Sequence, residues 1–153
     1  MDGRVNNEHL ADELAVDQDT TQQQPLRVSI LRHGGHLVAS VHTALDDSQL
    51  LCFRTELLDQ IGTHRARGVI IDVAALDVID SFACHTLRAL AQVARLRGAH
   101  TVIVGIQPDV AIAMTRLGTT LHAVPTALGL EEGVDLLDSI DVARGVDDGP
   151  RRD

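Results

Sequence analysis

The chain has 153 residues, with 13 basic residues that are all arginine, 22 acidic ones, a net charge of −9 and only two aromatics, Phe53 and Phe82. That length suits one domain with its own core, while an acid-rich chain without Trp or Tyr is poorly made to grip a phosphate backbone or stack bases, which argues against a nucleic-acid partner. No apolar run nears the roughly 20 residues of a membrane-spanning helix, Met1-Asp2-Gly3-Arg4 does not open a signal peptide, and Cys52 and Cys84 lack disulfide or ligand spacing, so a soluble cytoplasmic protein without a membrane partner is expected.

Residues 1–25 carry six acids against one arginine, a net of −5, and end in Thr20-Thr21-Gln22-Gln23-Gln24-Pro25. Such a composition cannot bury enough surface to offset ordering entropy, and a flexible acidic N-terminal tail is expected. A domain over residues 26–140 follows. Leu26, Val28 and Ile30, then Leu37, Ala39 and Val41, mark two short strands, and Gly34-Gly35 between them predicts a hairpin. Asp46 or Asp47 is placed to cap a helix with Leu50, Leu57, Leu58 and Ile61 on its apolar stripe. The aliphatic runs Gly68–Val73 and Thr101–Ile106 read as buried strands. Between them lies a helix from about Phe82 to Arg97, stopped by Gly98, and this strand–helix–strand unit predicts a parallel pair. Pro108 suits the first turn of a further helix with Val110, Met114 and Leu117 on one face. A brief Leu121–Val124 strand and a final helix around Leu130, Val134 and Leu137 complete a single α/β domain, a mixed β-sheet packed with α-helices. Residues 141–153, with two Gly and a Pro, read as a flexible C-terminal tail. Leu26 to Asp138 holds 12 acids and 9 arginines, so only −3 of the charge falls on the folded part.

The turn after the first buried strand reads Leu76-Asp77-Val78-Ile79-Asp80-Ser81-Phe82. Ser81 sits where the chain enters the long helix, and spacing alone leaves two readings that are compatible. It is a favoured N-cap residue, and it is also a phosphoacceptor at a helix end that tolerates a phosphate. Asp77 and Asp80 flank it, so a phosphate there would concentrate negative charge and repel a partner docked on the neutral serine. At about 100° per residue, Ala83, Leu87, Leu90, Ala91 and Ala94 form the core stripe of this helix, with Arg88, Gln92 and Arg95 facing water. Phe82, Ala89, Val93 and Leu96 make a second apolar line. It is either the shoulder of a wide core face or an exposed docking line beside Ser81.

Asp77-Val-Ile-Asp-Ser81-Phe, Leu96-Arg-Gly-Ala99 and Val104-Gly-Ile-Gln-Pro108-Asp-Val-Ala111, extended by Leu45-Asp46-Asp47 and Thr126–Glu131, resemble the STAS domains of anti-sigma-factor antagonists. Within these the likeness is greatest to the RsbS-like scaffold branch of the stressosome, over Leu26 to Leu137. The resemblance implies a STAS domain acting as a non-enzymatic, phosphorylation-controlled regulatory scaffold in stress-response signal transduction and sigma-factor regulation. Ser81 would be its phosphorylation site, with Asp77, Asp80 and Phe82 as the flanking acidic and partner-docking residues. The implied partners are an RsbT-like serine/threonine kinase, sequestered until Ser81 is phosphorylated, RsbR-like STAS co-antagonists, a serine phosphatase and further copies of the chain. No cofactor is implied. Sporulation-type antagonists carry Ser-Ser-Gly where this chain has Ser81-Phe82-Ala83, so that branch fits less well. RsbR-type co-antagonists carry an N-terminal sensor domain, for which 25 residues are too few. Their second phosphorylated threonine falls at Ala113 here, and its role is not carried over to Thr115, which lies about 200° further around the helix.

Other constellations are weaker. His33-Gly-Gly-His36 invites a metal reading, but no HExxH, Cys/His pairing or clustered carboxylate accompanies it; turn and surface histidines are expected, and no metal. His36 and His42 fall on one strand face with His85 a turn into the key helix, which allows weak pH sensitivity at an interface. Cys84, off the main stripe, reads as small-residue packing. A reading of a different class is a small-ligand- or nucleotide-binding α/β domain, or an enzyme, that uses the turns at Asp77–Ser81 and Gly105–Pro108. It would need a base beside a nucleophile.

Overall fold

The computed structural model describes residues 27–116, 118 and 124–148. The expected acidic tail over residues 1–25, Leu26, Leu117, residues 121–123 and the last five residues lie outside this description. In chain order the elements are β1 (Val28–His33), β2 (His36–Val41), α1 (Asp47–His64), β3 (Gly68–Asp72), α2 (Ser81–Leu96), β4 (His100–Val104), α3 (Pro108–Arg116), β5 (Thr126–Ala127) and α4 (Leu130–Asp148). The sheet runs β1-β2-β3-β4-β5. Its first pair is antiparallel and the other three are parallel, the mixed α/β sheet expected.

Each boundary has a local cause. His33 pairs with His36, which leaves Gly34-Gly35 as a two-residue turn. Gly34 sits at φ 63°, a left-handed conformation that costs glycine nothing. Asp46 caps α1, accepting from the Gln49 N–H at 2.8 Å while the Gln49 side chain accepts from the Asp46 N–H at 2.9 Å. This reciprocal capping box satisfies two groups the helix end would otherwise leave unpaired. β3 and β4 are buried along nearly their whole length, as aliphatic strands covered on both faces must be.

One sheet face packs Val69, Ile71 and Ile103 against Phe53, Leu57 and Ile61 of α1, Leu87, Leu90 and Ala94 of α2, and Val110 and Met114 of α3. The other face packs Ile70, Val102 and Val104 against Leu137 of α4. Among the described residues, no helix is long and apolar enough to cross a membrane.

Among the described residues the last strand lies at Thr126–Ala127, and residues 121–123 of the expected Leu121–Val124 strand fall outside them. Pro125 donates no N–H, so pairing begins with its carbonyl, which accepts from Ile103 N–H at 3.0 Å. The helix α4 runs to Asp148, past the boundary expected at residue 140. Its register brings Asp141 to Arg67, whose Nε lies 3.2 Å from the carboxylate, so the backbone just beyond 140 is tied to the domain.

Candidate functional site

The loop from β3 to α2 carries Ser81, and it is pinned from beneath. Val73 N–H donates to Val104 O at 3.0 Å and Leu76 N–H to Val73 O at 3.0 Å, while the Asp72 carboxylate accepts from Ala74 N–H at 2.9 Å. Leu76 and Ile79 point into the core. Asp77, Val78 and Asp80 between and after them are exposed. Behind the loop lies an apolar cavity of about 90 Å³ lined by Leu50, Phe53, Leu76, Ile79 and Leu87, with Asp80 at its edge.

The N-cap is Asp80, not Ser81. Asp80 has extended backbone (φ −84°, ψ 179°) and its carboxylate accepts from the Ala83 N–H at 2.8 Å. Both residue types cap well, and a carboxylate has the additional attraction of the positive helix end. Ser81 is therefore the first helical residue, exposed, and not needed to satisfy the first turn.

Along α2, Leu87, Leu90 and Ala94 are buried and Ala83 and Ala91 half-buried, as the core stripe requires. Arg88 is half-buried, and Gln92 and Arg95 are exposed. Cys84, expected off that stripe, is buried together with Thr86, because packing against α1 widens the covered face. The second apolar line faces solvent: Phe82 is 37% exposed, Val93 38% and Leu96 86%, and Ala89 is exposed between them. Val78 in the loop before Ser81 is 67% exposed. This second line is therefore exposed surface, not the covered shoulder of the core face.

The Gly105-Ile106-Gln107-Pro108 turn braces the loop. The Gln107 side-chain amide donates to Ala74 O at 2.8 Å. Gly105 sits at φ 82°, and a Cβ there would lie 2.8 Å from the Ala74 Cβ. Only glycine supplies both the left-handed backbone and the close approach. The sequence marked this turn by its spacing from Ser81, but Gln107 and Ala74 as a contact were missed, since nothing local links residues 33 apart.

The histidines separate. His42 is exposed and lies 3.1 Å from Ser29 Oγ; exposed His85 lies 3.2 Å from Arg88 Nη2. His36 is not a surface residue: it is 5% exposed, with Nε2 3.2 Å from the Asp138 carboxylate of α4. It thus gains the carboxylate neighbours the sequence did not reveal, and His36, Asp138 and Asp141 offer ligand atoms within 4.8 Å of one another. Their hydrogen bonding opposes a metal. Among the described residues the buried His36 Nδ1 has no partner, which favours the neutral tautomer with its proton on Nε2, donated to Asp138. A metal on Nε2 would force that proton onto Nδ1, where nothing accepts it, and Arg67 already holds Asp141.

The STAS domain family matches residues 27–132. RsbT co-antagonist protein RsbRA of Bacillus subtilis (strain 168) is 32% identical over 78 residues, 51% of this chain and 28% of that protein. A serine-to-glutamate variant of RsbS from Moorella thermoacetica has a similar structure, with a TM-score of 0.66 at 36% identity over 76% of this chain and 98% of that one. A chain from the molecular architecture of the stressosome, described as a signal integration and transduction hub, aligns with a TM-score of 0.61 at 32% identity, covering 74% of this chain and 98% of its own length. The chain belongs to the STAS domain family, and its similar proteins include RsbS and a chain of the stressosome.

Proposed function

We propose that this STAS domain is a phosphorylation-controlled scaffold that holds a serine/threonine kinase in a stressosome-type complex and releases it when Ser81 is phosphorylated. The observation that carries the reading is the division of labour at the start of α2. Asp80 caps the helix, and Ser81 stands exposed beside it, bordered by Asp77, Phe82 and Val78. A kinase active site reaches such a hydroxyl without unfolding the helix.

A phosphate adds about −1.5 to −2 charges at neutral pH. The positive helix end favours it by roughly 0.3–1 kcal/mol. Each neighbouring carboxylate opposes it by about 0.7 kcal/mol per unit charge at ~6 Å in water. The two carboxylates together oppose it by about 2–3 kcal/mol, a net cost that stays below the roughly 5–15 kcal/mol stability of a typical domain, so Ser81 phosphorylation leaves the fold intact. At an interface the balance changes. A partner seated on Phe82 and Val78 would have to desolvate a doubly charged group next to two carboxylates, at a cost of several kcal/mol. The switch therefore acts on docking. In the assembly this reading describes, the kinase is RsbT-like, RsbR-like co-antagonists and further copies of this chain complete the particle, and a serine phosphatase resets Ser81.

The test is incubation with the cognate kinase and ATP, read by intact mass. One phosphate is expected on the wild type and none on Ser81→Ala; equal uptake by both would place the acceptor elsewhere. Ser81→Asp should weaken kinase retention by about tenfold or more, the equivalent of 1.4 kcal/mol, and undiminished retention would count against a charge switch.

A further inference from the structure

The apolar cavity of about 90 Å³ behind the Ser81 loop has a floor and a mouth. Phe53, Val73 and Leu87 at the floor are buried, while Ala44, Val78 and Asp80 at the other end are exposed, so the cavity opens to solvent. Its mouth lies between two loops, one leading from β2 into α1 and the other from β3 into α2. Among the described residues that line it, Asp80 brings the one charged or polar side chain, and that carboxylate already accepts from the Ala83 N–H at 2.8 Å. A water inside would find few partners, so the cavity favours an apolar occupant. Size narrows the choice. An apolar cavity of about 150 Å³ takes a benzene ring, and the smaller space here suits a branched aliphatic group of about four carbons.

Asp80 and Ala83 line the cavity and stand on either side of Ser81 in the chain. Any protein that reaches the Ser81 hydroxyl therefore covers the mouth, because a specific interface takes about 800 Å² from each partner, a patch roughly 30 Å across. Covering the cavity empty would forfeit dispersion contacts along its walls, whereas an anchor side chain that fills a pocket supplies much of an interface's binding energy. We infer that the cavity is the socket for a leucine-like side chain of the kinase that Ser81 controls. This socket presupposes Ser81 as the phosphorylation switch and adds the β2–α1 loop, through Ala44, to the docking surface. A phosphate on Ser81 stands at the entrance, and seating the anchor would strip water from it and from Asp80 together.

The test compares retention of the cognate kinase by the wild-type full chain and by Ala44→Leu, whose larger side chain occupies the mouth. Retention should fall about tenfold, with no loss in the Tm of the free chain. Isobutanol, which carries the branched group of leucine, probes the same space without a substitution. Titrated into the full chain, it should give saturable amide shifts at Val73, Ala83 and Leu87 and should weaken kinase retention, whereas ethylene glycol at equal concentration should do neither. Unchanged retention by Ala44→Leu beside weakened retention by Ser81→Asp would overturn the socket and leave the switch standing. Weakened retention by Ala44→Leu beside undiminished retention by Ser81→Asp would support the socket and remove the switch. Loss of self-association in Ala44→Leu with the kinase still held would assign the cavity to a second copy of the chain and overturn the inference.

Discussion

On one face of the sheet, three helices bury a continuous aliphatic layer that runs from Leu37 to Met114. On the other, among the described residues, α4 sets Leu137, with Val134 and Leu136 beside it, against Ile70, Val102 and Val104, and adds the His36–Asp138 and Arg67–Asp141 contacts. The first face is insensitive to any one polar bond, because its stabilisation is spread over many apolar side chains. Among the described residues the second includes fewer covered side chains and two partly exposed pairs of the kind that contribute little individually. The Ser81 loop belongs to the first face, through Leu76 and Ile79. A surface that must present one serine in one place is thus built on the layer least open to local failure.

The largest expected effect contrasts the two layers with the same chemical change. Leu57 is fully buried on the broad face and Leu137 is 1% exposed under α4. Leu57→Ala should lower global stability by about 2–5 kcal/mol, the usual range for a leucine-to-alanine cavity, and shift the single urea transition to lower denaturant. Leu137→Ala removes the same atoms but should loosen α4 first. Amide exchange over residues 130–141 should accelerate, with a smaller shift in the global midpoint. Equal midpoint shifts, with no selective exchange in α4, would show that both faces unfold as one unit.

Much of the broad face was legible in the sequence, for definite reasons. The runs Gly68–Asp72 and His100–Val104 are strands covered on both sides, and few other environments demand uninterrupted aliphatics. Gly34-Gly35 and Asp46 announced a hairpin and a helix start by chemistry local to them. Ser81 was placed to within one residue of its helix position, but which neighbour capped the helix depended on the extended backbone of Asp80, which two adjacent good caps do not reveal. Helical angles found the Phe82–Val93–Leu96 line without telling how wide the covered face was. The thin face was harder to read. His36 and Asp138 are 102 residues apart, and only the crossing of α4 over the sheet brings them together. Histidine spacing in the hairpin therefore gave no hint of a carboxylate partner, and the polar end of α4 read as frayed.

A smaller effect tests whether the Ser81 loop owes its position to its brace as well as to its apolar anchors. Gln107→Ala removes the 2.8 Å bond to Ala74 O. That carbonyl can turn to water, so the loss should be about 0.5–1 kcal/mol, the lower part of the range for a neutral hydrogen bond. The more sensitive reading is local, as faster amide exchange between Ala74 and Asp80 with α4 unaffected. Gln107→Glu should be worse than Gln107→Ala, because an ionised carboxylate would face the carbonyl without a proton to donate. If alanine and glutamate behave alike, the bond contributes nothing and Leu76 and Ile79 alone hold the loop.

The smallest expected effect lies in the pH dependence of the broad face, at the start of α1. The Gln49 backbone N–H, aided by the Ser48 hydroxyl, holds the exposed Asp46 carboxyl below the ordinary aspartate range. A carboxyl whose folded pKa is depressed binds its proton more readily in the unfolded chain. Its contribution is therefore fully present above the unfolded value near pH 4 and is lost as pH falls through the lower folded value. Asp46→Asn retains a capping oxygen without the charge. In urea titrations at pH 7 and pH 3, the wild type should be the more stable at pH 7, and its advantage over Asp46→Asn should shrink at pH 3. A constant difference across that interval would mean that the charge adds nothing to the capping box. The start of α1 would then be held by geometry alone, as the apolar layer beneath it is.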